Sequence, residues 1–318
     1  MKTIHFVGGN FGELGKGQVW GGSMATGYCI RAAFANSTDY RLVNKPRGAF
    51  DSVSEVHDFL SQSDIGWLDE TSLLAEFFQA GLPRPDLVGP VARSPVKRYY
   101  SRDRSYWESP YSPEWFYSKT VLRLNEAEER SLIVLDKYKG VDWLDRVSFI
   151  RHCIDLHNIK PAPWGRRRLI LWAGNKSRPA KNHDLWEEVQ SEVERDGGVG
   201  DYEFKTISGH TIDQYLDLLD ETALLVNTSL YESFCNAVNE ARAKGVPTLV
   251  REKFNGERMF LDQSIQVPYT AGGYANKIRE LIEHNRLQEE GSLARKWAEE
   301  NVHPDNMKRD IVAALHRL

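Results

Sequence analysis

The chain has 318 residues, 41% of them hydrophobic and 27% charged, with a formal net charge of -4. Such a composition can fill a large core and excludes a disordered chain, a collagen-like repeat and a small disulfide scaffold. A mean hydropathy of -0.51 and a pI of about 6.2, with no apolar run near the ~18 residues a membrane span needs, argue against a membrane protein and against a basic nucleic-acid coat.

At domain sizes of about 100–200 residues, two domains are expected. Thr3–Val7 reads as a strand running into Gly8-Gly9-Asn10-Phe11-Gly12, Gly15-Lys16-Gly17 and Gly21-Gly22, with a helix over Ser23–Phe34. Strand, glycine-rich loop and helix open a nucleotide-type α/β unit. Strands follow at Arg41–Val43 and Ile65–Trp67, and helices at Glu55–Leu60 and Leu73–Phe78. Gly81–Pro113 reads as a long loop, and Leu132–Leu135 and Val147–Ile150 close the first half as strands. Within the loop, Arg93, Lys97, Arg98, Arg102 and Arg104 interleave with Tyr99, Tyr100, Tyr106 and Trp107. Such a segment either steers and stacks a polyanionic acceptor such as DNA or is a solvated loop whose aromatics tuck into the domain.

Lys160–Gly165 has the composition of a linker. Arg168–Ala173 then reads as a continuous apolar strand, buried on both faces as in a parallel sheet. Strands at Tyr202–Ile207, Ala223–Asn227 and Thr248–Arg251 alternate with helices at Asp184–Val193, Ile212–Leu219, Asn236–Lys244 and Tyr274–Asn285. That alternation predicts a second doubly wound sheet. The expected division is a first domain over 1–160, a second over 161–304 and a terminal helix over 305–318, its return to the first domain being one arrangement.

The segment Ser229-Leu230-Tyr231-Glu232-Ser233-Phe234-Cys235-Asn236, continuing through Glu240, Ala241 and Gly245 to Pro247, resembles the sugar-donor signature of GT-B glycosyltransferases of the family 4 type. In that signature two glutamates are separated by seven intervening residues, before an Ala-rich helix turn, a Gly and a Pro. Glu232 falls in the loop after a strand, at the carboxyl edge where open α/β sheets bind ligands. Ser233, Phe234, Cys235 and Asn236 read as a helix start whose N–H groups and dipole face that edge. The family commonly has Gly where Cys235 stands, and a side chain there narrows the approach to the sugar. A second block is similar to the family's diphosphate loop: Gly174-Asn175-Lys176-Ser177-Arg178, then Lys181. Lys181 matches the family lysine, while the arginine expected after the Gly is replaced by Asn175, with Arg178 as its substitute. Gly209, before the helix at Ile212, matches the region lying against the nucleotide base, and Gly21 and Gly22, or Gly8 and Gly9, could approach the donor phosphates and sugar from the first domain.

The resemblance implies the GT-B fold, two Rossmann-like domains facing a cleft, and a metal-independent, retaining transfer of sugar from a nucleotide-diphosphate sugar, UDP-sugar favoured. Glu240 would bind the ribose, Glu232 the sugar hydroxyls, and Lys181 with Arg178 the diphosphate, whose charge grows as the bond breaks; Glu232, Lys181 and Arg178 would form the catalytic set. No cofactor is implied. The acceptor would be a saccharide or a hydroxymethylated base in DNA, since viral transferases acting on modified DNA share the fold; Arg93, Lys97, Arg98, Tyr99, Arg102 and Arg104 would then contact it. Two alternatives stay open: a nucleotide-sugar epimerase of the same architecture, and a non-catalytic sugar-nucleotide or DNA-binding module.

Other chemistries have less support. Gly15-Lys16 is P-loop-like, but Asn10 and Gly17 occupy positions that need Gly and Ser/Thr. There is no Asp-x-Asp pair for a metal-dependent GT-A site, no Gly-x-Ser-x-Gly elbow and no metal spacing among the nine histidines. The scattered Cys29, Cys153 and Cys235, and an N-terminus without a long apolar region, lead to the expectation of a reducing cytoplasm.

Overall fold

Strand β1 (Lys2–Gly8) points Ile4 and Phe6 into one apolar cluster and Val7 into another, and all three are 0% exposed. A strand buried on both faces belongs inside a parallel sheet. The computed structural model, which describes residues 1–8, 22–69, 71–89, 119–124, 147–230, 234–252 and 264–318, places it there. After β1 come α1 (Gly22–Phe34), β2 (Tyr40–Pro46), α2 (Val53–Ser61), β3 (Ile65–Asp69), α3 (Thr71–Gln79), β4 (Leu87–Val88), β5 (Thr120–Leu124) and β6 (Val147–Ile150). The sheet order is β2-β1-β3-β4-β5-β6, every pair parallel. Ser52 caps α2, its hydroxyl accepting from the Glu55 N–H at 3.2 Å, which satisfies one orphan donor of the first turn.

The second sheet contains β7 (Leu169–Ala173), β8 (Glu203–Ile207), β9 (Thr222–Val226), β10 (Thr248–Arg251) and β11 (Ile265–Val267), in the parallel order β11-β10-β9-β7-β8. Its helices are α4 (His183–Arg195), α5 (Ile212–Glu221), α6 (Asn236–Ala243), α7 (Ala271–Glu283) and α8 (Leu287–Asn301). Trp172, Trp186, Val189, Leu224, Tyr274 and Ile278 fill its main core. Thr211 and Gln214 close a capping box on α5, two donors being satisfied reciprocally.

The chain forms two compact units, dividing at Cys153/Ile154 and again at His303/Pro304. The last helix, α9 (Pro304–Leu315), belongs to the first unit. Its Met307, Ile311, Ala314 and Leu315 join Cys29, Ile30 and Phe34 of α1 in one core. A fork-on-carboxylate pair fixes it to the end of β6: Arg151 donates from Nε to Asp310 Oδ2 at 2.8 Å and from Nη2 to Oδ1 at 2.7 Å. Burial pushes the Cys29 thiol well above its ordinary value, and its Sγ donates to the Cys153 carbonyl at 2.7 Å.

Several elements differ from the sequence expectations. β4 lies inside the stretch read as loop, and β5 was not expected; the strand expected at 132–135 falls outside the described residues. The chain changes unit before the Pro-rich stretch at 160 rather than within it. Ile154, Leu156 and Ile159 are already core of the second unit. Arg167, 2% exposed, ties the stretch down by donating to the carbonyls of Gly245 and Lys244, both at 2.6 Å. Burial lowers its pKa to about 10. Helix α8 was not expected either, because Gly291 interrupts its pattern; a Cβ there would meet the Gly245 carbonyl oxygen at 2.3 Å. The glycine is what lets α8 cross the end of α6 closely. Among the described residues, no helix is long and apolar enough to cross a membrane.

Candidate functional site

From β7 the second sheet is wound outward to β8 on one side, then back across to β9 on the other. At such a reversal the loops leaving the carboxyl ends of the two strands diverge and open a crevice for ligands. The two loops here are 174–182 and 227–235, the ones that carry Lys181 and Glu232.

The two loops are tied together by hydrogen bonds. The Leu230 N–H donates to the Ala180 carbonyl at 2.8 Å. Thr228, 0% exposed, accepts from Trp172 Nε1 at 2.9 Å. Its own proton is shared between the carbonyls of Lys181 and Asn182 at 3.0 and 2.9 Å. Asn182 is left-handed at φ 48 and donates its amide to the Tyr269 hydroxyl at 2.6 Å, which in turn donates to the Thr228 carbonyl at 2.9 Å. From the next strand, Arg251 donates to the Leu230 carbonyl at 3.1 Å and lies over the Tyr269 ring at 4.7 Å. The main chain at Lys181 and the side chain of Arg251 are therefore linked through Thr228, Tyr269 and Leu230. Asn175 uses its Oδ1 to accept from the Ser177 N–H and hydroxyl, at 3.0 and 2.8 Å, and so folds the loop. Arg178 is exposed at the start of the Pro179–Lys181 turn. Gly174 sits where a Cβ would crowd the Trp172 ring at 3.0 Å.

Helix α6 starts at Asn236, as the sequence pattern expects. The residue before it, Cys235, is left-handed at φ 50 and 6% exposed. Its sulfur lies against Asn227, whose Nδ2 donates to it at 3.5 Å. Phe234 buries its side chain with Ile154, Leu156 and Trp297, so only its main chain faces outward chemistry. Asn236 Oδ1 is buried with no hydrogen-bond partner among the described residues.

Glu240, 2% exposed, stands in the second turn of α6. The Tyr215 hydroxyl donates to the Ala237 carbonyl at 2.8 Å. Burial, and next the charge of Glu240 beside it, push that phenol well above its ordinary pKa. The His210 ring packs on Tyr215 with centroids 5.1 Å apart. Its Nδ1 is buried without a partner among the described residues, and burial lowers its pKa. Orphaned buried polar atoms are rare in native proteins, and each calls for an explanation such as a water, an ion or a functional role. Gly209, at φ 66, makes the turn into this corner.

Of the residues singled out from the sequence, Gly174, Asn175, Lys181, Phe234, Cys235, Asn236, Glu240 and Gly209 all fall at the carboxyl edge of the second sheet, with Arg178 at its rim. Gly22 opens α1 in the first unit. Glu232, Ser233, Gly21, and Arg93, Lys97, Arg98, Tyr99, Arg102 and Arg104 lie outside the described residues. Thr228, Arg251 and Tyr269 were missed, since no local pattern links residues 41 positions apart like Tyr269 and Thr228. Also unexpected are His183, Asp184 and Glu187, whose ligand-type atoms lie within 4.8 Å of one another; Asp184 and Glu187 are exposed, and a His183–Glu187 contact of 3.4 Å one turn apart accounts for the grouping.

Two parallel doubly wound sheets of this connectivity define the GT-B fold, and the comparisons with solved structures agree. HepE of Anabaena, solved with UDP and glucose, aligns over 100% of both chains with a TM-score of 0.63 at 14% identity. A glycosyltransferase of Rickettsia africae aligns over 99% of this chain and 98% of its own, with a TM-score of 0.61 at 12% identity. Sucrose-phosphate synthase of Thermosynechococcus elongatus covers 100% of this chain and 99% of its own, with a TM-score of 0.55 at 11% identity. At these identities the likeness is one of fold. No protein-family model and no curated protein matches the sequence.

Proposed function

We propose that this chain is a glycosyltransferase of the family 4 type that takes a nucleotide-diphosphate sugar, UDP-sugar first, and passes the sugar to an acceptor hydroxyl. One observation carries the reading. At the switch point of the second sheet, the buried carboxylate of Glu240 and the His210 ring stand against Tyr215, His210 Nδ1 having no partner among the described residues, with Lys181 in the loop after β7 and the start of α6 at Asn236 on the other side. That split matches a nucleoside with its diphosphate. Glu240 accepts from the ribose hydroxyls, the His210 corner faces the base, and the α6 amides with Lys181 and Arg178 meet the phosphates. The loop carrying Glu232 reaches the sugar. Fixed cations and amides stabilise the leaving diphosphate without a metal ion. The acceptor attacks from the face the phosphate leaves, so configuration is retained and no protein carboxylate serves as nucleophile.

The fold likeness to a protein solved with UDP and glucose supports the UDP-sugar and favours a saccharide hydroxyl over DNA as acceptor. The basic aromatic segment at 93–107, which motivated DNA, lies outside the described residues. A thermal-shift panel of nucleotide sugars, followed by mass spectrometry of saccharide and DNA acceptors mixed with the best ligand, tests the reading. A rise in melting temperature with a UDP-sugar and a mass gain of one sugar on the acceptor are expected. No shift with any nucleotide sugar ends it, and an epimerised sugar-nucleotide with no acceptor product replaces transfer by epimerisation.

A further inference from the structure

The chain enters α6 through a turn that side chains avoid. A left-handed residue other than Gly costs about 1–2 kcal/mol, so the surroundings must impose the φ of 50 at Cys235. Asn239, 1% exposed and one turn into the helix, supplies the hold. Its Nδ2 donates to the Phe234 carbonyl at 2.7 Å and reaches the Cys235 carbonyl at 3.5 Å. A side-chain amide can face either way. Here Arg242, 0% exposed, decides the direction by donating from Nη1 to Asn239 Oδ1 at 2.9 Å. The guanidinium is itself fixed: Nη2 donates to Ser264 Oγ at 2.5 Å, and its carbon lies 4.3 Å from the Trp297 ring centroid. Trp297 shares an apolar cluster with Phe234, so the connections close into a loop.

Packing alone does not call for this arrangement. Val238 and Ala241 are 0% exposed and show what the buried side of α6 needs for packing. Placing an arginine and an amide there costs desolvation that leucines would avoid, and polar groups of that kind are retained where they specify one conformation. We infer that Asn239 and Arg242 are positioning residues. They set the turn at Phe234–Cys235 and thereby aim the first amides of α6. The role in sugar-donor binding rests on the function proposed above; the clamp on the turn does not.

Asn239→Asp separates the two halves of the device. It keeps an oxygen toward Arg242 and turns that hydrogen bond into an ion pair, so the fold is held. Toward Phe234 it replaces the N–H donor with an acceptor facing a carbonyl oxygen. The variant should melt close to the parent. Alkylation of Cys235 by N-ethylmaleimide, followed by peptide mass spectrometry, should accelerate roughly tenfold as the turn opens, while Cys29 and Cys153 stay at parental rates. UDP affinity should fall by about the same factor. Arg242→Lys, which keeps the charge but loses the fork, should move both readouts the same way by less, and it serves if Asn239→Asp does not fold. Alkylation within about twofold of the parent in a folded variant overturns the clamp. A parent protein that binds no nucleotide sugar would instead overturn the sugar-donor reading, so the two failures are distinguishable.

Discussion

Trp172, on β7, donates its indole N–H to the hydroxyl of Thr228, just past β9, at 2.9 Å. The same hydroxyl serves the carbonyls of Lys181 and Asn182, so one oxygen joins the strand core to the cationic loop. Thr228→Val keeps the shape but orphans a buried N–H and frees the loop. We expect it to destabilise the fold by about 2 kcal/mol and Thr228→Ser by about 1 kcal/mol, as read from urea unfolding. A loss for Thr228→Ser with none for Thr228→Val would show that the methyl, not the hydroxyl, matters.

Glu240→Gln preserves volume and removes charge, and Lys181→Ala removes a cation from an intermediate-exposure site. Hydrogen bonds to charged groups are worth about 1.5–3 kcal/mol, so each variant should lose roughly one to two orders of magnitude in UDP affinity by calorimetry. The melting temperature without nucleotide should stay near the parental value for Lys181→Ala. Parental affinity in both variants would remove them from the site.

Burial holds His210 below its ordinary pKa of 6.5. The folded chain therefore favours the neutral ring, whereas the unfolded chain takes up a proton as pH drops past 6.5. Below that value the unfolded state binds more protons, so stability rises with pH through this window and levels off above it. His210→Gln should flatten the rise in a series of unfolding curves across that range. An unchanged slope would mean that another group titrates there.

Strand β7 was legible because Leu169–Ala173 is apolar throughout, and the end of α6 because Gly245 and Pro247 punctuate it. Its start at Asn236 was legible too, but not the left-handed residue before it: Cys235 carries no turn signal of the kind Gly or Asn gives. Asn182, left-handed before α4, is the recognisable version of the same device. Glu240 could be placed on its helix by spacing, but its Tyr215 neighbour arrives from another element. The tie between Asn182 and Tyr269 spans 87 positions, beyond any local pattern.

Gly291 and Gly272 give a paired test of helix glycines. Adding a methyl in a helix interior gains about 1 kcal/mol in propensity. At Gly272 nothing lies within 4 Å, so Gly272→Ala should be neutral or stabilising. At Gly291 the new methyl would meet a backbone oxygen at 2.3 Å, which cannot rotate away. Overpacking of that kind costs about 1–3 kcal/mol or more, so Gly291→Ala should lower the midpoint of thermal unfolding. A gain at both sites would show that α8 can shift away from α6 without cost.

Because Met307, Ile311 and Leu315 complete the core built by Ile4, Phe6 and Ile30, synthesis and folding run out of step. The opening strand and α1 must wait for α9, which is translated after the whole of 154–303. Among the described residues the second unit is drawn from 154–303 alone, whereas the opening strands keep an unfinished apolar surface, in need of shielding, until α9 joins them.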